Sequence, residues 1–194
     1  MTELEKFKKI KEQSEKQWEN MTMESCYGFQ IQEGSKWNKG LLEVELASFE
    51  EEMGFTFPET LRSYYRIMNG LNKPGVNVYG YSDIPFTYQS KFYSYPDDLD
   101  LIKEYINWIF EANKTDDKKL EAIRASRIFP IYSHRFMLLD VPGNPILSMH
   151  GDDIIYWCRD IFQLFDVEVF GCSPDYSQRL NEANNIVNQI KFWI

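Results

Sequence analysis

His134-Arg135 sets an imidazole beside a guanidinium, a pair that binds a carboxylate or phosphate when both groups face solvent. The same two residues equally suit a strand end, with His134 capping it and Arg135 pairing with a local acid. A second candidate is His150-Gly151-Asp152-Asp153, one imidazole and two carboxylates in one turn. A metal ion accepts such groups, but adjacent side chains on a tight turn diverge and no second ligand cluster accompanies them. The expectation is a solvated turn and no structural or catalytic metal. Cys158 or Cys172 would need a positioned base to act as a nucleophile, and the chain has only two His. Cys158 continues an apolar strand, where an inert buried thiol belongs. Gly-x-Ser-x-Gly, His-Glu-x-x-His, Gly-x-Gly-x-x-Gly and phosphate-loop patterns are all missing. Asp97/Asp98 and Asp116/Asp117 read as a helix cap and a loop charge pair. The residues therefore point away from an enzyme and imply no cofactor.

Binding is the chemistry the composition favours. The chain has 194 residues, a formal net charge of −9, and 14 Phe, 12 Tyr and 5 Trp. An acidic chain does not neutralise phosphates, so nucleic acid is not the expected ligand. A basic protein partner is, because opposite charge steers encounter. Residues 82–96 have no clean period yet hold Phe86, Tyr88, Phe92, Tyr93 and Tyr95. Together with Asp97, Asp98 and Asp100 they make the 79–100 region the first candidate for a partner-binding face, with Tyr88, Phe92 and Tyr93 exposed and Asp97 and Asp98 steering. The competing reading folds those rings inward as a satellite core. Asp152-Asp153 is the second candidate patch.

The elements that must position these residues follow from periodicity. Thr2 and Glu5 form a capping box for a helix to about Asn20. Tyr27, Phe29 and Ile31 alternate weakly as a strand. Leu46, Phe49 and Met53 stripe a second helix, Gly54 sits at its C-terminal cap, and Pro58 starts the next. Leu61, Tyr64, Tyr65 and Met68 stripe that third helix, and Asn69-Gly70 stops it. Val76–Tyr81 alternates as a strand after Pro74-Gly75. Leu99, Ile102, Ile106 and Ile109 stripe a helix capped by Asp97. A short helix follows around Leu120 and Ile123. His134-Arg135 lies between two strands, and turns at Val141–Asn144 and Gly151–Asp153 divide 127–157 into a three-stranded antiparallel meander. Ser173-Pro174 opens one last helix, with Tyr176, Leu180, Ala183, Val187, Ile190 and Ile194 on one face.

This reads as α+β, an antiparallel-rich sheet with flanking helices, in one domain. That domain comprises an N-terminal extension 1–36, a core 37–166 and a C-terminal helix 167–194. The charged segment Glu3–Glu19 predicts no signal peptide, no run is apolar enough for a membrane span, and three scattered Cys suit a reducing cytoplasm.

One family resemblance adds to this reading. The order acidic helix, Met53-Gly54-Phe55-Thr56-Phe57-Pro58-Glu59, aromatic helix, Asn69-Gly70 resembles the start of the SUKH superfamily. Ile128-Phe129-Pro130-Ile131-Tyr132 resembles its hydrophobic-Pro-Ile strand. Phe136–Asp140 and Asn144-Pro145-Ile146-Leu147-Ser148 resemble the two strands after it, and Asp160–Phe165 resembles the closing helix. The resemblance covers about Trp37 to Phe165. It implies the same α+β architecture and a protein-binding role. That role is an immunity protein against a secreted toxin, often a nuclease, or an intracellular regulator like the yeast cell-wall glucan-synthesis members. A small-ligand binder or enzyme built on His134 and Arg135 is the remaining alternative.

Overall fold

Thr2 opens the first helix, α1 (Glu3–Trp18): its hydroxyl accepts from the Glu5 N–H (3.3 Å) and the Glu5 carboxylate accepts from the Thr2 N–H (2.7 Å). The computed structural model describes residues 1–22, 30–76, 91–190 and 192–194. The expected strand segments around Tyr27–Phe29 and Asn77–Tyr81, and Tyr88, lie outside the described residues; Gln30 and Val76 form an antiparallel bridge.

The chain packs as two units, Met1–Asp98 and Leu99–Ile194. In the first, α1 lies along α3 (Glu59–Ile67), and α2 (Glu43–Met53) packs beside α3. A two-stranded antiparallel sheet joins β1 (Trp37–Lys39) to β2 (Met68–Leu71). The stripes face inward: Leu46, Phe49, Leu61, Tyr64, Tyr65 and Met68 are all fully buried. The helix stops at Ile67, before Asn69-Gly70, and the chain passes straight into β2, which takes in Met68 as well as Asn69-Gly70. The Asn69 amide donates to the Tyr95 carbonyl (2.7 Å) and its oxygen accepts from the Tyr95 N–H (2.8 Å), so one side chain stands in for a strand partner. Pro58 is the N-cap of α3, one position before the expected first turn.

Charges fasten α2 to α3. Arg62 pairs with Glu43 (2.8 Å) and Glu50, and Arg66 pairs with Glu43 and Glu59. Glu50 also accepts from the Phe57 N–H (2.7 Å) and so pins the corner between the helices. Gly54 caps α2 in the left-handed region, φ 77°, and a Cβ there would meet nothing within 4 Å. Gly54→Ala is therefore expected to cost backbone strain alone, about 1 kcal/mol in urea unfolding. A neutral or stabilising result would contradict the cap.

In the second unit the sheet order is β3 (Ile128–Tyr132), β4 (Arg135–Leu138), β5 (Ile146–His150), β6 (Asp153–Cys158), every neighbour antiparallel. Four strands form where Gly and Pro signals delimit three. The extra turn at Ser133-His134 uses a non-glycine residue at positive φ, Ser133 at 49°. β3 is buried on both faces, and α4 (Leu99–Ala112) packs on it. α5 (Asp117–Ile123) begins at Asp116, which accepts from the Lys119 N–H (2.8 Å) and so is a cap rather than a loop charge. α6 (Ile161–Glu168), capped by Asp160, packs on β6.

The last helix departs from expectation. α7 (Tyr176–Ile186) is capped by Asp175 rather than Ser173 and gives way to a 3-10 turn at Val187–Gln189. Leu180, Val187 and Ile194 stay exposed while Ile190 and Trp193 are buried. The break lets Trp193 donate from its indole to the Ser126 carbonyl (2.9 Å) and stack on Phe110, which a continuous helix through weak helix formers Asn184, Asn185 and Asn188 would not allow.

Candidate functional site

Trp108, on α4, lies over the turn between β5 and β6. Its ring meets the His150 ring edge to face at 5.1 Å and sits 6.3 Å from the Tyr105 ring, yet 36% of the residue remains exposed. Gly151 at φ 65° makes the turn, and its carbonyl accepts from the Asn113 side chain (3.0 Å), which fastens the turn to the end of α4. Glu104, Trp108 and Glu111 recur at helical spacing and share one exposed face of α4. Asp152 and Asp153 are exposed on the turn alongside. The result is an aromatic centre with four carboxylates near it. Large rigid rings at the middle and charges at the margin are what protein-binding faces use. Sequence reasoning picked out Asp152 and Asp153 but passed over Trp108, which lies off the Ile102/Ile106/Ile109 stripe. A Trp on the polar side of an amphipathic helix was the available signal.

The first candidate face needs correction. Phe92 and Tyr93 are fully buried, not exposed. Phe92 packs edge to face on Trp37 at 4.8 Å, and the Tyr93 carbonyl accepts from the Tyr65 hydroxyl (3.4 Å). They complete the aromatic core of the first unit, as the inward reading had it. Asp98 is buried too: it pairs with Lys91 and accepts from the Ser94 N–H (2.8 Å) and hydroxyl (2.7 Å). Its charge ties a loop rather than steering a partner. Asp97 is exposed.

His134 and Arg135 do meet, but Arg135 is committed to the protein. Its Nε donates to Glu168 (2.9 Å), one Nη contacts both Ser148 and His134, and its guanidinium stacks 3.7 Å from the centre of the Trp157 ring. The local ion pair is therefore the role the geometry gives it. Burial first, then the nearby Arg135 and His150, pushes the His134 pKa down to about 4. Unfolding restores an ordinary imidazole, so between about pH 6.5 and 4 the unfolded chain takes up the proton first. Stability should fall as pH drops through that window. His134→Gln should flatten this part of a urea-stability profile; an unchanged slope would contradict it.

Cys158 is fully buried, and burial followed by Glu168 pushes its thiol up to about 12, so it stays protonated and unreactive near neutral pH. Cys172 is exposed. Among the described residues no three His, Cys, Asp or Glu side chains gather as a metal site would need, and no helix is long and apolar enough to cross a membrane.

Compared with known proteins, the chain matches the family model described as SMI1 / KNR4 family (SUKH-1) over residues 40–182. The match runs from Gly40 through the signature helices, the whole four-stranded sheet and into α7, further than the motifs quoted from sequence. No curated protein and no solved structure matches it.

Proposed function

The chain belongs to the SMI1 / KNR4 family (SUKH-1), and from that premise we propose that it is a protein-binding module acting as an immunity protein in the cytoplasm. It neutralises a toxin domain by covering that domain's active cleft. The observation that carries the reading is the family match; the Trp108 face supplies the surface. Trp108 is the anchor, Glu104, Glu111, Asp152 and Asp153 are the acidic rim, and a basic cleft is the surface such a face fits. A nuclease is the fitting class of toxin, because its cleft is built to hold phosphates and is basic for that reason. Inhibition by occlusion asks no catalysis of the inhibitor, in keeping with the protonated Cys158 and the committed Arg135.

The test is co-expression with the toxin domain encoded beside its gene. Survival of cells carrying both, and a purified one-to-one complex, supports the reading. Growth arrest with no complex contradicts it. Family membership equally admits an intracellular regulatory or scaffold role. A gene neighbourhood without a toxin, together with capture of an endogenous signalling protein from its own cells, would favour that role.

A further inference from the structure

Two guanidiniums share one indole in the second unit. Arg135 lies 3.7 Å and Arg179 4.6 Å from the centre of the Trp157 ring. The Trp157 N–H donates to Glu168 (2.8 Å), the same carboxylate oxygen that accepts from Arg135 (2.9 Å). Glu168 therefore neutralises Arg135 and draws on the indole N–H, which enriches the ring that faces both cations. Arg179 has no such partner. Among the described residues no carboxylate lies within ion-pair distance of it, and its Nε is sealed from solvent without a hydrogen-bond acceptor. The nearest acid along α7 is Glu182, one turn on. That carboxylate is already taken by Tyr156 (3.1 Å), Gln163 (3.4 Å), Gln178 (3.0 Å) and Arg159 (3.4 Å). His134 is neutral near pH 7 and adds no charge of its own. Half-buried Arg179 thus has no carboxylate of its own, in a chain of net charge −9.

We propose that Arg179, held on Trp157, is a receptor for a single carboxylate group. A planar guanidinium stacked on a ring keeps its edge free for a two-point bond to a carboxylate, and the stacking has already removed much of its side-chain freedom. A buried donor without an acceptor disfavours the resting placement, so a ligand that lets the guanidinium turn and satisfy that donor gains from the move. This site is separate from the Trp108 face and stands whether or not the immunity reading holds.

The experiment is titration of the full chain with sodium acetate, followed by the tryptophan indole N–H resonances in a nitrogen-15 spectrum. Sodium chloride at equal ionic strength is the control, and Trp157→Phe assigns the signal. The expected result is a saturable shift of the Trp157 resonance with acetate and not with chloride. Arg179→Gln and Arg179→Lys should each weaken that response about tenfold, the second because a lysine keeps the charge but loses the planar fork. Arg127→Gln, at an arginine paired with Asp140, should leave it unchanged. The indole signals themselves report whether each variant is folded. If Arg179→Gln does not fold, the lysine variant and the acetate-against-chloride comparison in the native chain decide the matter. No shift beyond chloride, an undiminished shift in the Arg179 variants, or saturation by inorganic phosphate in preference to acetate would overturn the proposal.

Discussion

Trp108→Ala is expected to weaken the complex with the toxin domain by about 2–4 kcal/mol, thirtyfold or more, read as a faster dissociation rate. The ring is the only large aromatic that α4 presents on the Glu104/Glu111 face, and its edge-to-face contact with His150 holds it in one orientation before any partner arrives. A preoriented ring loses little freedom on binding, so most of its burial reaches the affinity. Because a third of the residue is already exposed, circular dichroism should show the variant folded. Wild-type affinity in this variant would remove the Trp108 face from the binding surface.

Gly40→Ala should cost at least about 3 kcal/mol, and at ordinary domain stabilities it can leave much of the chain unfolded. A Cβ at Gly40 would stand 2.1 Å from the Arg66 carbonyl oxygen, 2.4 Å from its carbon and 2.8 Å from the Ile67 nitrogen. These are backbone atoms at the end of α3, held by the Leu41 N–H bond to the Tyr65 carbonyl (2.8 Å), so they cannot rotate away as a side chain does. Gly54→Ala, with nothing near its Cβ, is the matched comparison. Equal, small urea-midpoint shifts for the two variants would show that the chain beside Gly40 relaxes freely.

In the first four helices periodicity placed its residues well: Leu46, Phe49, Leu61, Tyr64 and Ile102 are buried in the helices predicted for them, and the α+β, antiparallel-rich architecture stands, whereas in the last helix Leu180, Val187 and Ile194 of the expected stripe are exposed. The thirteenth-hour details are tertiary. Phe92 and Tyr93 sit in an irregular segment, whose backbone has no period to say which side faces the core; Trp37 and Tyr65, distant in sequence, draw them in. Asp98 looked like a steering charge because Lys91 and Ser94 become its partners only when the loop closes. Trp108 was passed over because a search for an apolar stripe discards what lies off it. The place of Arg179 on Trp157 depends on α7 packing against β6, which no local pattern encodes.

The proposed occlusion of a basic cleft makes one kinetic demand. The association rate of the chain with its toxin domain should be measured against ionic strength, for the native protein and for Asp152→Lys/Asp153→Lys. Acidic steering predicts a native rate that falls about tenfold or more from low to physiological salt, and a doubly reversed variant that starts slower and responds little to salt, with its unfolding free energy nearly unchanged. A native rate indifferent to salt, or a variant that associates as fast as the native chain at low salt, would contradict it.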